Sequence, residues 1–376
     1  MTTKPDVIII GGGLAGLASA IHLLGKGLQV LLIEKSGYPR HKVCGEYISN
    51  EILPYLQWLG TDVAVLHPTS INHFEFSSVN GNGVKAKLPL GGFGVSRYTL
   101  DNFLYEKAVA KGCMVLEATV TDISFIDNVF TVSTATEKFT SKIVLGAYGK
   151  RSNIDQVLSR DFMHKKSPWL AVKAHYKGTF PDDVVALHNF NGGYCGISKV
   201  ENDTINICYL ADYETFKKYK NIEDYQTRVL YKNSRLKAVF ENSTPLFDKP
   251  LTISQVSFDK KAPVESHIIM MGDTAGLIHP LCGNGMAMAL HSAKIASELV
   301  LDYHLGKIPS RENFENEYKK QWRLHFGKRL FIGRILSKVL RNKAMTRQFL
   351  KIVMLFPSLL PVIIKQTHGK PIVINS

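Results

Sequence analysis

A chain of 376 residues with 45% hydrophobic and 21% charged side chains is long enough for two interleaved domains and too apolar for wholesale disorder. Its five cysteines, Cys44, Cys113, Cys195, Cys208 and Cys282, form no C-x-x-C pair, which argues against a disulfide framework or zinc site and for a reducing compartment. The net charge of +14 is not spread evenly: from Tyr318 to Ser376 there are thirteen Lys and Arg and no Asp or Glu, so the body is near neutral and the tail is cationic.

The start, MTTKPD, has no basic-then-apolar leader, and a cytoplasmic location is expected. Residues 6–10 predict a buried strand. A glycine turn follows, then a helix with apolar Leu14, Leu17, Ala18, Ile21 and Leu24, stopped by Gly25 and Gly27, and a second strand over 28–33. This βαβ opening predicts an α/β fold with a parallel sheet. Gly11, Gly13 and Gly16 stand in G-x-G-x-x-G spacing. The first permits a tight turn, the second lets a pyrophosphate approach the backbone, and the third lets helix pack closely on strand. Leu14 and Ala15 open the helix whose free N–H groups and dipole hold phosphates. Glu34, followed by Lys35, ends the second strand, where a carboxylate accepts hydrogen bonds from both ribose hydroxyls. This motif alone does not separate FAD from NAD.

Farther on, residues 71–97 mix short strands with Gly-rich turns, one of them GGFG at Gly91 to Gly94. A helix is expected over 101–111 with Asp101 as its cap. Strands are expected over 115–122, which carries Val120, over 130–134 and over 142–147. Alternating strands from Trp169 to Leu210 predict a mostly antiparallel second sheet. A buried strand over 268–271 ends in Gly272–Asp273, and a helix runs over 285–305, its stripe beginning at Met286. The remainder is basic and helical. Residues 1–70, 98–165 and 265–305 then form a nucleotide domain, residues 71–97 and 166–264 a substrate domain, and residues 306–376 a C-terminal region.

The segment MMGDTAGLIHPLCGNGMAMALHSA resembles the second flavin-binding motif of the p-hydroxybenzoate-hydroxylase-like superfamily, which includes geranylgeranyl reductases, aromatic monooxygenases and flavin halogenases. The resemblance implies FAD, a glutathione-reductase-type FAD domain with an inserted antiparallel substrate domain, and a helical C-terminus. It implies that Asp273 binds a ribityl hydroxyl and that Pro280, Gly283 and Gly285 lie along the isoalloxazine. The residues agree with it. Gly272 and Asp273 end a strand, where open α/β sheets bind ligands, and Gly283, Asn284 and Gly285 bare N–H groups before a helix.

PRHKVCGEYIS resembles the Cys-Gly-Glu motif of archaeal lipid-reducing members, which puts Cys44, Gly45 and Glu46 beside the flavin and Arg40 and Lys42 within reach of the phosphates. Cys44 reads as a buried structural thiol or a proton donor, and Glu46 as a helix N-terminal charge or a proton donor. SRYTLDNFLYEKAVAKG resembles the family's Arg-plus-helix element, with Arg97 near the cofactor.

Two segments depart from the pattern. In GAYGKRSN, Gly149 matches the hydroxylase form GADGxxS, but Tyr148 replaces the Asp that helps bind FAD and NADPH. NAD(P)H thus remains one candidate donor beside another redox partner. In GGYCGIS, Tyr194 matches the Tyr-x-Trp-x-Phe-Pro pattern of lipid-reducing relatives, while Gly196 and Ser198 replace its Trp and Phe. Tyr148 and Tyr194 are the candidate substrate contacts. His279, beside Pro280, is either packed or a third proton donor. The halogenase Trp-x-Trp-x-Ile-Pro pattern is not evident.

The expected function is FAD-dependent reduction or dehydrogenation of a hydrophobic unsaturated substrate (isoprenoid, polyketide or aromatic lipid) by hydride transfer at flavin N5. Monooxygenation through a flavin hydroperoxide is the alternative, and a non-catalytic membrane-associated flavin-binding protein the third reading. The basic tail either caps the substrate cavity or lies peripherally on an anionic inner membrane face. Its apolar run from Ile352 to Ile364 is too short to span a bilayer. No recognition motif accompanies the charge, so nucleic-acid binding is not expected.

Overall fold

The computed structural model describes residues 4–374; the residues of the polar start before Lys4 and the last two residues lie outside it. The β-branched opening run forms β1 (Val7–Ile10), buried at every position, and α1 (Leu14–Leu24) and β2 (Val30–Glu34) complete the βαβ unit. After β3 (Tyr47–Ser49) and α2 (Leu53–Trp58) come the long strands β4 (Thr69–Ser77) and β5 (Gly83–Gly94). Next are α3 (Arg97–Ala110), β6 (Met114–Glu117), β7 (Asp122–Ile126), β8 (Val129–Ser133), β9 (Lys138–Ser141), β10 (Ile143–Gly146) and α4 (Asn153–Val157). Four strands follow, β11 (Trp169–Gly178), β12 (Val184–Phe190), β13 (Gly193–Val200) and β14 (Thr204–Asp212). Short helices α5 (Tyr213–Phe216), α6 (Ile222–Arg228) and α7 (Ser234–Glu241) lead to β15 (Ser243–Pro245), β16 (Leu251–Ser254), β17 (Val264–Glu265) and β18 (Ile268–Met270). The chain closes with α8 (Gly285–His304), α9 (Arg311–Arg341), α10 (Lys343–Leu355) and α11 (Leu359–Thr367).

Six strands form the first sheet in the order β17-β18-β10-β1-β2-β6, parallel except for the β17–β18 pair. Its central strands are apolar throughout because helices cover both faces. α1 and α8 contribute Leu17, Ile21, Leu290 and Ala293 to the main core. The second sheet runs β15-β11-β14-β13-β12-β4-β5-β3 with β16 on β11, antiparallel except where β12 meets β4. β7, β8 and β9 make a small third sheet. This is the expected FAD-domain fold with an antiparallel sheet and a helical C-terminus.

Three local expectations are corrected. GGFG is not a turn: it is the end of β5, where Phe93 pairs with Ile48 and Ser70. The strand expected over 115–122 splits, because the chain leaves the first sheet after Glu117 and starts another sheet at Asp122. Asp101 does not cap α3. Ser96 does, accepting the Thr99 N–H at 3.1 Å, and Asp101 lies one turn inside the helix.

Candidate cofactor and substrate site

A cavity of about 680 Å³ opens between the two large sheets. Gly13 and Asp273, from turns far apart in sequence, both line it. At its nucleotide end, Gly11 has φ +103°, and a Cβ there would sit 2.4 Å from the Ala147 carbonyl oxygen. A Cβ on Gly16 would meet the Gly11 oxygen at 2.0 Å, so both glycines are sterically required. Gly13 differs: a Cβ there would point into open space, with Arg97 the nearest group at 3.8 Å. It caps α1 without a side chain and leaves the first-turn N–H groups of Leu14 and Ala15 facing the cavity. Glu34 accepts the Gly12 N–H at 2.7 Å and pairs with Arg40 at 2.8 Å. Arg97 grips Asp101 through two bonds of 2.6 and 2.7 Å, and Lys42 reaches the same carboxylate at 2.7 Å. Burial opposes the Asp101 charge, but Arg97 and Lys42 hold its carboxyl below the usual range. Arg40 and Lys42 therefore reach the cavity wall as partners of carboxylates. Lys35 and Val120 also line it, and the Val120 carbonyl accepts from Asn153 at 2.8 Å.

At the other end, Gly272 turns at φ +56° and donates its N–H to Ser292 at 2.9 Å. Asp273 faces the cavity. Burial pushes its carboxyl up, and Lys150, Lys261 and Arg97 oppose that shift. Gly149, at φ +87°, donates to Thr274 Oγ1 at 2.8 Å. Gly283 takes φ +62° against Tyr47. The Asn284 side chain does not cap α8. It donates to the Thr367 carbonyl at 2.9 Å and to Glu51 at 3.4 Å, leaving the first-turn N–H groups of Gly285 and Met286 without a side-chain cap. Pro280, Gly285 and Met286 line the wall. The uncapped N–H groups at both ends and the open face of Gly13 fit a dinucleotide that carries a polar ring system.

Beside this end sits a charged cluster. Glu46, at φ 53° and fully buried, accepts from Lys173 at 2.8 Å, from His175 at 2.7 Å and from the Arg97 N–H at 2.8 Å. Burial raises its pKa, but the His175 bond and the Lys173 charge outweigh it and the net direction is down. Glu46 is thus a fixed carboxylate, the opposite of what a proton donor needs. Cys44 lines the cavity with its Sγ 3.6 Å from Met286 Sδ, and Gly45 lies beside it. His279 is outside the cavity lining. Its ring is boxed by Trp169, Tyr194 and Phe258, and burial lowers its pKa to about 3. Tyr148 lines the cavity with its hydroxyl 3.4 Å from Met270 Sδ, and Tyr194 lines the far wall.

Sequence reasoning missed several of these groups. Lys173 and His175 stand two apart in a strand that is apolar from Trp169 to Val172, a period-2 signal that they share a face. Lys261, whose ammonium donates to the Lys150 and Asp273 carbonyls at 2.8 and 2.9 Å and is brought down by burial to about 8, left no signal. Neither did Glu51, which holds Arg329 of α9 at 2.9 Å, the Gly369 N–H and Asn284, so that α9, the terminal segment and the glycine loop meet on one carboxylate.

The C-terminal helices close the cavity, with Phe349, Leu360, Ile363 and Ile364 on its wall. The family described as "FAD binding domain" matches residues 4–301. The chain is 26% identical over 367 residues to conditioned medium factor receptor 1 of Dictyostelium discoideum, covering 88% of this chain and 70% of that protein. It is 25% identical over 342 residues to digeranylgeranylglycerophospholipid reductase of Methanococcus vannielii, covering 85% and 82%. A flavin-dependent brominase of known structure superposes with a TM-score of 0.80 at 21% identity, covering 97% of this chain and 93% of that one, a likeness of fold.

Proposed function

Since this chain belongs to the FAD-binding-domain family and is an FAD-dependent oxidoreductase, we propose that it reduces an unsaturated bond in an elongated hydrophobic substrate. The observation that carries this reading is the change of character along the cavity. Beyond Asp273 and Gly283 its walls are Phe74, Phe76, Leu88, Leu187, Leu210, Phe349, Leu360 and Ile364. Such walls gain from burying apolar surface and offer few groups to a polar guest. The similar Methanococcus protein is named as a phospholipid reductase, in keeping with this substrate class.

Bound FAD supplies the two-electron chemistry, renewed by an external donor such as NAD(P)H or a redox protein. The chain's own residues bind and orient. The α1 N-terminus would hold the diphosphate, Glu34 the ribose and Asp273 the ribityl chain, and the α8 N-terminus would favour negative charge on the isoalloxazine. The reduced product also needs a proton. Of the three candidate donors, Glu46 is held ionised and His279 lies outside the cavity lining, so the proton is assigned to the Cys44 thiol, its thiolate being reprotonated from solvent. The apolar helices over the chamber limit the water that reaches the substrate.

The test is anaerobic. FAD-loaded protein, chemically reduced without oxygen, is mixed with long-chain polyprenyl substrates. Reoxidation that depends on substrate, with a product gaining two hydrogens, is expected, and Cys44→Ala should slow it by about a hundredfold. Turnover that requires oxygen and a product gaining an oxygen atom would replace this reading with monooxygenation.

A further inference from the structure

We infer that the outer face of the α10–α11 elbow docks on an anionic lipid bilayer, so that the apolar chamber opens beside the membrane surface. Large apolar side chains crowd the outside of this elbow: Ile352 is 50% exposed, Leu355 73%, Phe356 59% and Val362 55%. The opposite faces of the same helices carry Phe349, Leu360 and Ile364 on the chamber wall. The partition between solvent and chamber is therefore one helix thick and apolar on both sides. A soluble surface gains nothing from such an outer face, whereas a membrane interface buries it.

Charge selects the occupant. Lys351 and Lys365 flank the apolar stretch, both exposed, with Arg347 one turn earlier, and no Asp or Glu occurs from Tyr318 onward. Anionic headgroups complement this face, and a second copy of the same cationic face would repel it. No single helix among the described residues is long and apolar enough to cross a membrane, and α10 and α11 meet at a bend of 119°. That shape suits an element lying in the interface. The inference shares with the proposed function only the hydrophobic guest. Vesicle binding is measured without substrate, so either can fail alone.

The FAD-loaded full chain is tested against phosphatidylcholine vesicles with and without phosphatidylglycerol. Binding should be about tenfold stronger with the anionic lipid and should weaken with added salt. The double variant Leu355→Ser/Phe356→Ser should lower partitioning by about tenfold or more with bound flavin and melting temperature unchanged. Lys351→Gln/Lys365→Gln should remove much of the salt-sensitive part. The indole fluorescence introduced by Phe356→Trp should be quenched by brominated lipids, which reports insertion directly. No binding to either vesicle, full binding by the Ser variant, an indole in Phe356→Trp that brominated lipids leave unquenched, or a dimer that Phe356→Ser dissociates would each overturn the inference.

Discussion

Replacing Lys173 by Met tests the claim that Glu46 is a permanent carboxylate. Met keeps most of the stem's volume and deletes the charge. Both partners are 0% exposed and lie 2.8 Å apart, so the loss leaves a buried anion with His175 and one backbone N–H as its remaining partners. Breaking a buried pair from one side costs about 3–5 kcal/mol, and the two surviving bonds put the expected loss near the lower figure, about 3 kcal/mol at neutral pH. The pH dependence carries a sign. In the wild type the Glu46 pKa is depressed, so its contribution is present above the unfolded carboxylate pKa and is lost as pH falls through the folded value. In Lys173→Met, burial is less opposed and the carboxyl pKa moves up, so acidification restores neutrality at the site by protonating Glu46. The gap between the two proteins should shrink as pH is lowered from 7 toward 5. Urea unfolding of both proteins across that range measures it. Adding Glu46→Gln to Lys173→Met should recover part of the loss. A gap below about 1 kcal/mol, or one independent of pH, would refute the assignment.

Two further outcomes follow from the same structure. Gly11→Ala forces a Cβ to within 2.4 Å of the Ala147 oxygen at φ +103°, so the purified variant should retain little flavin and melt lower; a variant that stays yellow with an unchanged melting point would contradict the steric argument. His22, His188, His279 and His291 are each lowered to about 3, burial first among the causes, so between the unfolded value of 6.5 and that figure the unfolded chain binds protons that the folded one does not. Stability should therefore fall on acidification below pH 6.5, by about 2 kcal/mol per histidine at pH 5, and a flat urea midpoint between pH 7 and 5 would be inconsistent with it.

The nucleotide end was legible because its signals are local. A β-branched strand, three spaced glycines, an apolar helix and a terminal Glu34 sit in one short stretch, and each is specified by near neighbours. α8 was legible for the same reason. What escaped depends on partners far along the chain. Asp101 reads as a cap because Asp caps well, and only folding brings Lys42, 59 residues away, against it. Glu46 reads as a helix N-terminal charge or a proton donor until Lys173 and His175 arrive from 127 and 129 residues away. His279 beside Pro280 suggests a group facing the flavin, yet its rotamer and its aromatic box are tertiary properties. The split after Glu117 was hidden because residues 118–121 are as apolar and β-branched as the strands around them.

Glu51 ties the C-terminal segment at Gly369 to the glycine loop at Asn284 proposed to hold the flavin ring. Linkage makes that tie reciprocal: whatever order bound flavin gives to the Asn284 loop is returned, with the same coupling free energy, as tighter docking of the terminal residues. Shortening the chain beyond Thr367 would then register first as a faster-escaping cofactor, with global unfolding affected less.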